Sequence, residues 1–240
     1  MDKIMNIALI FAGGSGTRMG KTTKPKQFMD LNGRAVIINT VLNFEKHRDI
    51  DAIAVVCADV WQSYLRKLLD KEKITKVKWI VSGGQTGQQS IFNGVKVIYD
   101  NVEDKANTIV LINDGVRPLV GEKVITDNIN CVKKNGTSVT AAYATETILE
   151  VDGSGKVCKI PDRRFSLISK APQGFILEQI MDVHLKAIAE NKFGFTNSAE
   201  LMLHYGYDIY IVEDSSENIK ITNPIDLFIC KFIMKSKAKD

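Results

Sequence analysis

The chain has 240 residues, of which 45% are hydrophobic and 25% charged, and its formal net charge is +4. This length fits one α/β domain or two small ones, and the composition is that of an ordinary globular protein. The charge is spread along the chain, which argues against a nucleic-acid partner because such proteins usually carry a basic stripe. No run of 18 apolar residues predicts a membrane span.

Short apolar runs alternate with amphipathic stretches over the first 143 residues. The apolar runs predict buried strands at MNIALIFA, DAIAVVCA, VKWIVSGG, TIVLIND and TSVTAAYA. The stretches between them predict helices at RAVIINTVLNFEKH, VWQSYLRKLLDKEK, SIFNGVKVIYDNV and GEKVITDNINCVKKNG. This alternation predicts a Rossmann-like α/β fold, in which a mostly parallel sheet is covered by helices on both faces.

The alternation stops after residue 143. The segment ATETILEVDGSGKVCKIPD predicts two strands joined by the turn DGSG, and we expect this hairpin to project as an arm at about 143–165. Two helices, a strand and a closing helix are then predicted at FILEQIMDVHLKAIAEN, SAELMLHYG, YDIYIVE and NPIDLFICKFIMKSK. We therefore expect a single domain over residues 1–240 with one arm.

The four cysteines indicate where the protein works. They stand at positions 57, 131, 158 and 230, without C-x-x-C or zinc-ligand spacing. Cys57 and Cys230 lie in apolar runs and are expected to be small core residues. Free cysteines suit a reducing compartment, so a cytoplasmic location is predicted.

The glycine-rich segment FAGGSGTRMGKTTKPKQF follows the first strand. It fits a dinucleotide-binding G-x-G-x-x-G motif poorly, because Gly20 comes one residue late. It also fits a P-loop poorly, because Ser15 stands where that motif needs its first glycine before Gly20, Lys21 and Thr22.

A third interpretation uses the whole segment. Glycine amides can approach a triphosphate closely, while Arg18 and Lys26 supply two cations. Two cations suit a reaction in which a nucleophile attacks the α-phosphate and pyrophosphate leaves, because negative charge grows on the leaving oxygen. Farther along, Asp114 ends the strand TIVLIND, where a carboxylate is well placed for Mg²⁺.

Several motifs occur together and in order: GGSGTRM with PKQF, NDGVRP, PQGF and NIKIT. In this combination the chain resembles the cytidylyltransferases that make CDP-activated polyols, with a fold of the nucleotide-diphospho-sugar transferase type. One branch of that family acts on methylerythritol phosphate in isoprenoid synthesis. The other acts on ribitol 5-phosphate for teichoic acids and capsules.

The resemblance implies a role for each matching residue. The predicted catalytic cations are Arg18, Lys26 and Lys220, and the predicted ligand of Mg²⁺ is Asp114. The nucleotide, CTP, is expected to contact Ala12, Gly13, Gly14, Gly16, Gly84, Gln85, Ser90, Asp114 and Gly115. The acceptor, a polyol phosphate, is expected to contact Thr147, Arg163 and Lys220. The resemblance also implies a homodimer, in which each arm serves the neighbour's site. Arg117 is expected to be a buried ion-pair partner.

The chain departs from the family pattern at Ala171, where threonine is usual, and at three further positions. Gly87 stands where arginine is usual, Asn113 where histidine is common, and Asn197 where aspartate is usual. Val116 and the GTRMG form of the loop favour ribitol 5-phosphate or a related alditol phosphate as the acceptor. Methylerythritol phosphate is the alternative acceptor, and a non-catalytic nucleotide-binding protein is the alternative from another class.

Overall fold

The computed structural model describes residues 4–12 and 24–237. A seven-stranded sheet lies at its centre, in the spatial order β11-β7-β10-β6-β1-β4-β5. Its strands are β1 (Met5–Ala12), β4 (Ala52–Cys57), β5 (Val77–Val81), β6 (Thr108–Asp114), β7 (Thr137–Tyr143), β10 (Leu167–Ile176) and β11 (Ile211–Glu213). Two small antiparallel pairs accompany it: β2 (Asp30–Leu31) with β3 (Arg34–Ala35), and β8 (Glu150–Val151) with β9 (Val157–Lys159).

The helices are α1 (Val36–Glu45), α2 (Asp59–Lys71), α3 (Gly87–Asn101), α4 (Glu122–Asn135), α5 (Leu177–Ala189), α6 (Ser198–His204) and α7 (Pro224–Lys237). Side chains of α1, α2 and α4 pack on one face of the sheet, and those of α3, α5 and α6 on the other. The predicted fold class is therefore confirmed. In the part of the chain that the structure describes, no helix is long and apolar enough to cross a membrane.

The central strands are buried on both faces. In β1 the side chains of Ala8 and Ile10 contact one helix layer, and those of Ile7 and Leu9 contact the other. This two-sided burial explains why these strands read as continuous apolar runs in the sequence. Strands β5, β4, β1 and β6 are parallel neighbours, so their carboxyl ends, including Ala12 and Asp114, meet at one edge of the sheet.

Strand β10 was not predicted from the sequence. It lies between β6 and β7 and is antiparallel to both. Pro172 falls within it, and proline is normally excluded from central strands because it cannot donate a ladder hydrogen bond. The structure accommodates Pro172 in an irregular stretch between Ser169 and Gln173, where the register with β7 shifts.

The predicted hairpin is present as β8 and β9, but these strands have only two and three residues. The side chains of Leu149, Val151, Val157, Ile160 and Phe165 are all exposed. Asp152 closes the turn by accepting hydrogen bonds from Ser154 and Lys156. The arm is thus held by local contacts and leaves its apolar side chains in solvent.

Candidate active site

Asp114, at the end of β6, is the centre of a buried charge cluster. Its Oδ2 accepts a hydrogen bond from Arg117 Nε at 2.8 Å, and its Oδ1 lies 2.6 Å from Lys220 Nζ. Asp114 is 6% exposed and Arg117 7%, whereas the side chain of Lys220 is 41% exposed. Arg117 is therefore the buried ion-pair partner that the sequence predicted, and Lys220 is the cation that faces solvent.

This cluster keeps the carboxylate ionised. Burial by itself would raise the pKa of Asp114, but the ammonium of Lys220 and the guanidinium of Arg117 more than offset it, and the pKa lies below its ordinary value. At neutral pH the cluster therefore consists of one carboxylate between two cations.

The ends of β1 and β6 are packed closely beside this cluster. Gly115 N donates to Phe11 O at 2.9 Å, and a Cβ at Gly115 would lie 3.0 Å from Ala12 Cβ. A larger residue at 115 would require the two strand ends to move apart by a few tenths of an ångström, so glycine suits this close approach. The predicted nucleotide contacts Ala12, Gly115 and Asp114 are therefore brought together.

Lys220 is positioned by the segment that precedes it. Asn218 is buried, and its Nδ2 donates to Ala171 O at 2.7 Å and to Asp214 Oδ2 at 2.8 Å. On the other side of Lys220, Ile221 N donates to Val116 O at 2.9 Å. The hydrogen bond from Asn218 to β10 and the one from Ile221 to the turn after β6 thus fix the backbone on both sides of Lys220.

A cavity of about 490 Å³ opens beside the cluster. We call it the Asp114 cavity; its wall includes Gly87, Asp114, Arg117, Lys170, Asn197 and Lys220. It lies at the carboxyl end of β6, where open α/β sheets bind their ligands. Among the described residues that line it, the charged side chains are one carboxylate and three cations.

The predicted nucleotide loop, residues 84–90, is held by its own hydrogen bonds. Gly84 N donates to Ser90 Oγ, and Gln85 N donates to Gln89 Oε1. Thr86 caps α3 by accepting from Gln89 N. The side chain of Ser90 therefore holds the loop together, while Gly87, the first residue of α3, lines the Asp114 cavity.

Lys26 lies in a short 3₁₀ turn, Lys26–Phe28. The next residue, Gln27, is buried and donates from Nε2 to Ala12 O at 2.8 Å, which fixes the turn to the end of β1. Burial alone would raise the pKa of Asp226, but hydrogen bonds from Thr222 and Asn223 and the nearby charge of Lys26 lower it below its ordinary value. Lys26 does not line the Asp114 cavity. The predicted contacts Gly13, Gly14, Gly16 and Arg18 lie outside the described residues.

The predicted acceptor contacts of the arm are not brought to this cavity within one chain. Thr147 and Arg163 are exposed, and neither lines the Asp114 cavity. Arg163 Nη1 donates to Thr145 O at 3.3 Å, whereas Arg164 forms an ion pair with Asp162 at 2.6 Å. Their roles stay predictions, and the pairing of Arg164 leaves Arg163 as the better placed of the two arginines.

Lys170 is a cavity residue that the sequence did not indicate. It lies in the irregular part of β10 and reaches the cavity because the strand crosses beside the segment of Asn218. No motif marks it, since its neighbours in space are about fifty residues away in sequence.

In the part of the chain that the structure describes, no group of three or more His, Cys, Asp or Glu side chains is arranged to hold a metal ion.

Comparison with known proteins identifies the family. Residues 6–236 match the family model described as 2-C-methyl-D-erythritol 4-phosphate cytidylyltransferase. A protein of Vibrio parahaemolyticus named ribitol-5-phosphate cytidylyltransferase is 48% identical, over 97% of both chains. One of the same name from Streptococcus agalactiae is 42% identical, over 99% of this chain and 98% of its own.

Among solved structures, 4-diphosphocytidyl-2C-methyl-D-erythritol synthase of Anaerococcus prevotii superimposes with a TM-score of 0.82 at 26% identity. The superposition covers 98% of this chain and 97% of that one. The family match, the close relatives and the site at the end of β6 agree, and the chain belongs to the 2-C-methyl-D-erythritol 4-phosphate cytidylyltransferase family and is a cytidylyltransferase.

Proposed function

We propose that this protein transfers CMP from CTP to ribitol 5-phosphate, or to a closely related alditol phosphate, and releases pyrophosphate. The observation that carries the proposal is the Asp114 cavity, in which three cations face one carboxylate at the carboxyl end of β6. An excess of positive charge suits phosphate groups. The choice of acceptor is supported by relatives at 42–48% identity that are named ribitol-5-phosphate cytidylyltransferases.

In the proposed reaction, a phosphate oxygen of the acceptor attacks the α-phosphorus of CTP. A new O–P bond forms, the bond from the α-phosphorus to the bridging oxygen breaks, and pyrophosphate leaves with the electron pair. The attacking oxygen is already anionic at neutral pH, so no general base is needed. The protein therefore contributes positioning and positive charge, with Lys220 and Lys26 as the described cations and Arg18 as the third.

Asp114 has the chemistry to bind Mg²⁺. It is ionised, and among the residues that the structure describes two of its roughly four lone-pair positions are occupied, by Arg117 and Lys220. Protein Mg²⁺ sites often use one or two carboxylates together with substrate phosphates and water. We propose that Asp114 supplies one oxygen ligand and that the metal neutralises charge on the substrate phosphates when it is bound.

A homodimer built through the arm completes the proposal. The arm leaves apolar side chains exposed, which a second chain could cover. Thr147 and Arg163 do not line the cavity of their own chain, which is consistent with a role in the cavity of a second chain. The cysteines that the structure describes are all free, which supports a cytoplasmic location. A CDP-alditol produced there would serve surface-polymer synthesis, such as teichoic acid or capsule.

Pyrophosphate release tests the proposal directly. The protein is incubated with CTP, Mg²⁺ and, in turn, ribitol 5-phosphate, arabinitol phosphate, glycerol phosphate and methylerythritol phosphate. Preferred turnover of ribitol 5-phosphate or another alditol phosphate is expected. Preferred turnover of methylerythritol phosphate would move the protein to isoprenoid synthesis, and CTP binding without any pyrophosphate release would contradict a transferase acting on these acceptors.

Omission of Mg²⁺ tests the metal separately. We expect turnover to fall by at least about a hundredfold in EDTA and to return when Mg²⁺ is added, because the metal offsets the charge that develops on the phosphates. Full activity in EDTA would contradict a role for the metal.

A further inference from the structure

Lys170 occupies an unusual place for a lysine. It lies within β10, in the irregular stretch between Ser169 and Gln173, and its side chain is half-buried in the wall of the Asp114 cavity. Burying the charged end of a lysine is costly unless a partner compensates for it. The question is therefore what compensates the ammonium of Lys170.

The described acceptors of Lys170 Nζ are both backbone carbonyl oxygens. They are Asn218 O at 3.0 Å and Ser216 O at 3.4 Å. Asn218 O also accepts a hydrogen bond from Arg117 Nη1 at 2.9 Å. One carbonyl oxygen thus serves two cations, and a carbonyl carries only a partial negative charge.

Among the described residues that surround Lys170, positive and negative charges do not balance. Asp114 lies between Arg117 and Lys220, so its single negative charge is already shared by two cations. Asp214 is the other carboxylate that acts on Lys170, but it accepts hydrogen bonds from Asn218 Nδ2 and Ser215 N and does not line the cavity. Counting both carboxylates, the three cations still leave an excess of one positive charge.

The position of Lys170 in the sheet indicates which substrate group would approach it. β10 is separated from β1, which leads into the glycine-rich loop, by β6. The residues just before Lys170, Leu167 and Ile168, pair with Tyr143 and Ala142, where the arm leaves β7. Lys170 therefore lies on the side of Asp114 that faces the root of the arm, opposite the side of β1.

We propose that Lys170 is a further ligand for the phosphate group of the acceptor, beside Lys220. This inference rests on the proposed function and deepens it. The burial of Lys170 and the nearby charge of Arg117 lower its pKa. An anion bound between Lys170 and Lys220 would offset this unfavourable positive charge. The ligand chemistry is a phosphate monoester, which ribitol 5-phosphate and methylerythritol phosphate share.

The test compares three variants by steady-state kinetics with CTP, Mg²⁺ and ribitol 5-phosphate. Lys170→Met removes the charge and keeps most of the volume, and Lys170→Arg keeps the charge. Lys105→Met is the matched control: Lys105 is also half-buried and donates to two carbonyls, at 2.8 and 3.4 Å, but it precedes β6 at the opposite end from Asp114.

We expect Lys170→Met to raise the acceptor KM by about 10- to 100-fold, the range for losing a hydrogen bond between charged groups. The KM for CTP should stay within about twofold, and the Tm should match that of Lys105→Met. Lys170→Arg should retain an acceptor KM within several-fold of the unmodified chain. Lys105→Met should change neither KM.

Two results would overturn the inference. An unchanged acceptor KM in Lys170→Met would show that the lysine does not bind the acceptor. A joint rise of both KM values with a lower Tm would show that it only supports the segment 216–218. The unmodified chain reports separately on the proposed function: if it uses methylerythritol phosphate, the variants are compared on that acceptor, and if it uses neither, both proposals are wrong.

Discussion

The Asp114 cavity and the arm differ in how their charged side chains are partnered. Asp114 binds Arg117 and Lys220 through both carboxylate oxygens, and Asn218 fixes the segment that carries Lys220. In the arm, Arg163 has one described side-chain hydrogen bond, at 3.3 Å, and Val151, Val157 and Phe165 are exposed. The cavity is thus pre-organised by one chain, whereas the arm has the features of a surface that gains its contacts from a partner.

The cavity and the arm therefore contain two kinds of binding residue, those already held in place and those that are not. A side chain that is already held in place loses little entropy when a substrate binds. Lys220 is such a residue, and Arg163 is not. If the proposed dimer forms, the acceptor would be bound between a rigid cavity on one chain and an arm that becomes ordered on the other.

Asp114→Asn should have the largest effect, because it removes the charge that joins Arg117 and Lys220. We expect turnover to fall by at least about a hundredfold, since Lys220 loses its anchor and the metal its proposed ligand. Breaking a buried ion pair should also lower the free energy of unfolding by about 3–5 kcal/mol. Urea unfolding and pyrophosphate release measure the two effects.

Asp127→Asn is the control for this variant. Asp127 forms an ion pair with Lys123 on the surface of α4, and such pairs contribute at most about 1 kcal/mol. It should change neither stability nor turnover appreciably. A stable, fully active Asp114→Asn variant would show that the cluster is not the centre of the site.

Subunit complementation should give the second-largest effect, and it tests whether the arm of one chain serves the site of its neighbour. Arg163→Ala and Lys220→Met should each lose most activity when present in every chain. Mixed and re-equilibrated, half of the dimers contain one chain of each kind, and one of their two sites has both residues intact, so about a quarter of normal activity should return. Arg164→Ala, which removes the arginine paired with Asp162, is the matched control.

If the mixture stays inactive while sedimentation shows dimers, each chain uses its own Arg163. If the protein is a monomer at the assay concentration, the proposed dimer is wrong.

The sequence predicted the parallel strands that carry Asp114 better than the wall of the cavity formed by β10, for a physical reason. Strands β1, β4 and β6 are buried on both faces, so their apolar runs are distinctive, and Asp114 follows directly from its place at a strand end. β10 escaped prediction because Pro172 and the polar Ser169 and Lys170 interrupt it. Lys170 itself could not be found, since only the crossing of β10 beside Asn218 brings it to the cavity.

A pH series should give a smaller effect that sharpens the assignment of Asp114. Its pKa in the folded protein lies below the ordinary value of 3.8, so its ionised form stabilises the fold. That stabilisation is complete above the unfolded pKa and is lost as the pH falls below it. The difference in unfolding free energy between the unmodified chain and Asp114→Asn should therefore be constant near neutral pH and narrow as the pH falls through and below about 4.

Urea midpoints at several pH values measure this difference. A gap that stays constant over the range would mean that the ionisation of Asp114 does not stabilise the fold, and the ion pairs with Arg117 and Lys220 would then contribute nothing net.

Two valine substitutions should change stability and association the least, and they compare the central sheet with the arm directly. Val110 in β6 is fully buried, so Val110→Ala should lower the free energy of unfolding by about 2 kcal/mol. Val151 in the arm is 56% exposed, and Val151→Ala should change the free energy of unfolding by less than about 0.5 kcal/mol at protein concentrations where single chains predominate.

If the arm packs against a second chain, however, Val151→Ala should measurably weaken association in sedimentation experiments, because the side chain is buried only in the dimer. Equal dimer affinities for Val151→Ala and the unmodified chain would show that this valine is not covered, and would place any dimer contact elsewhere on the surface.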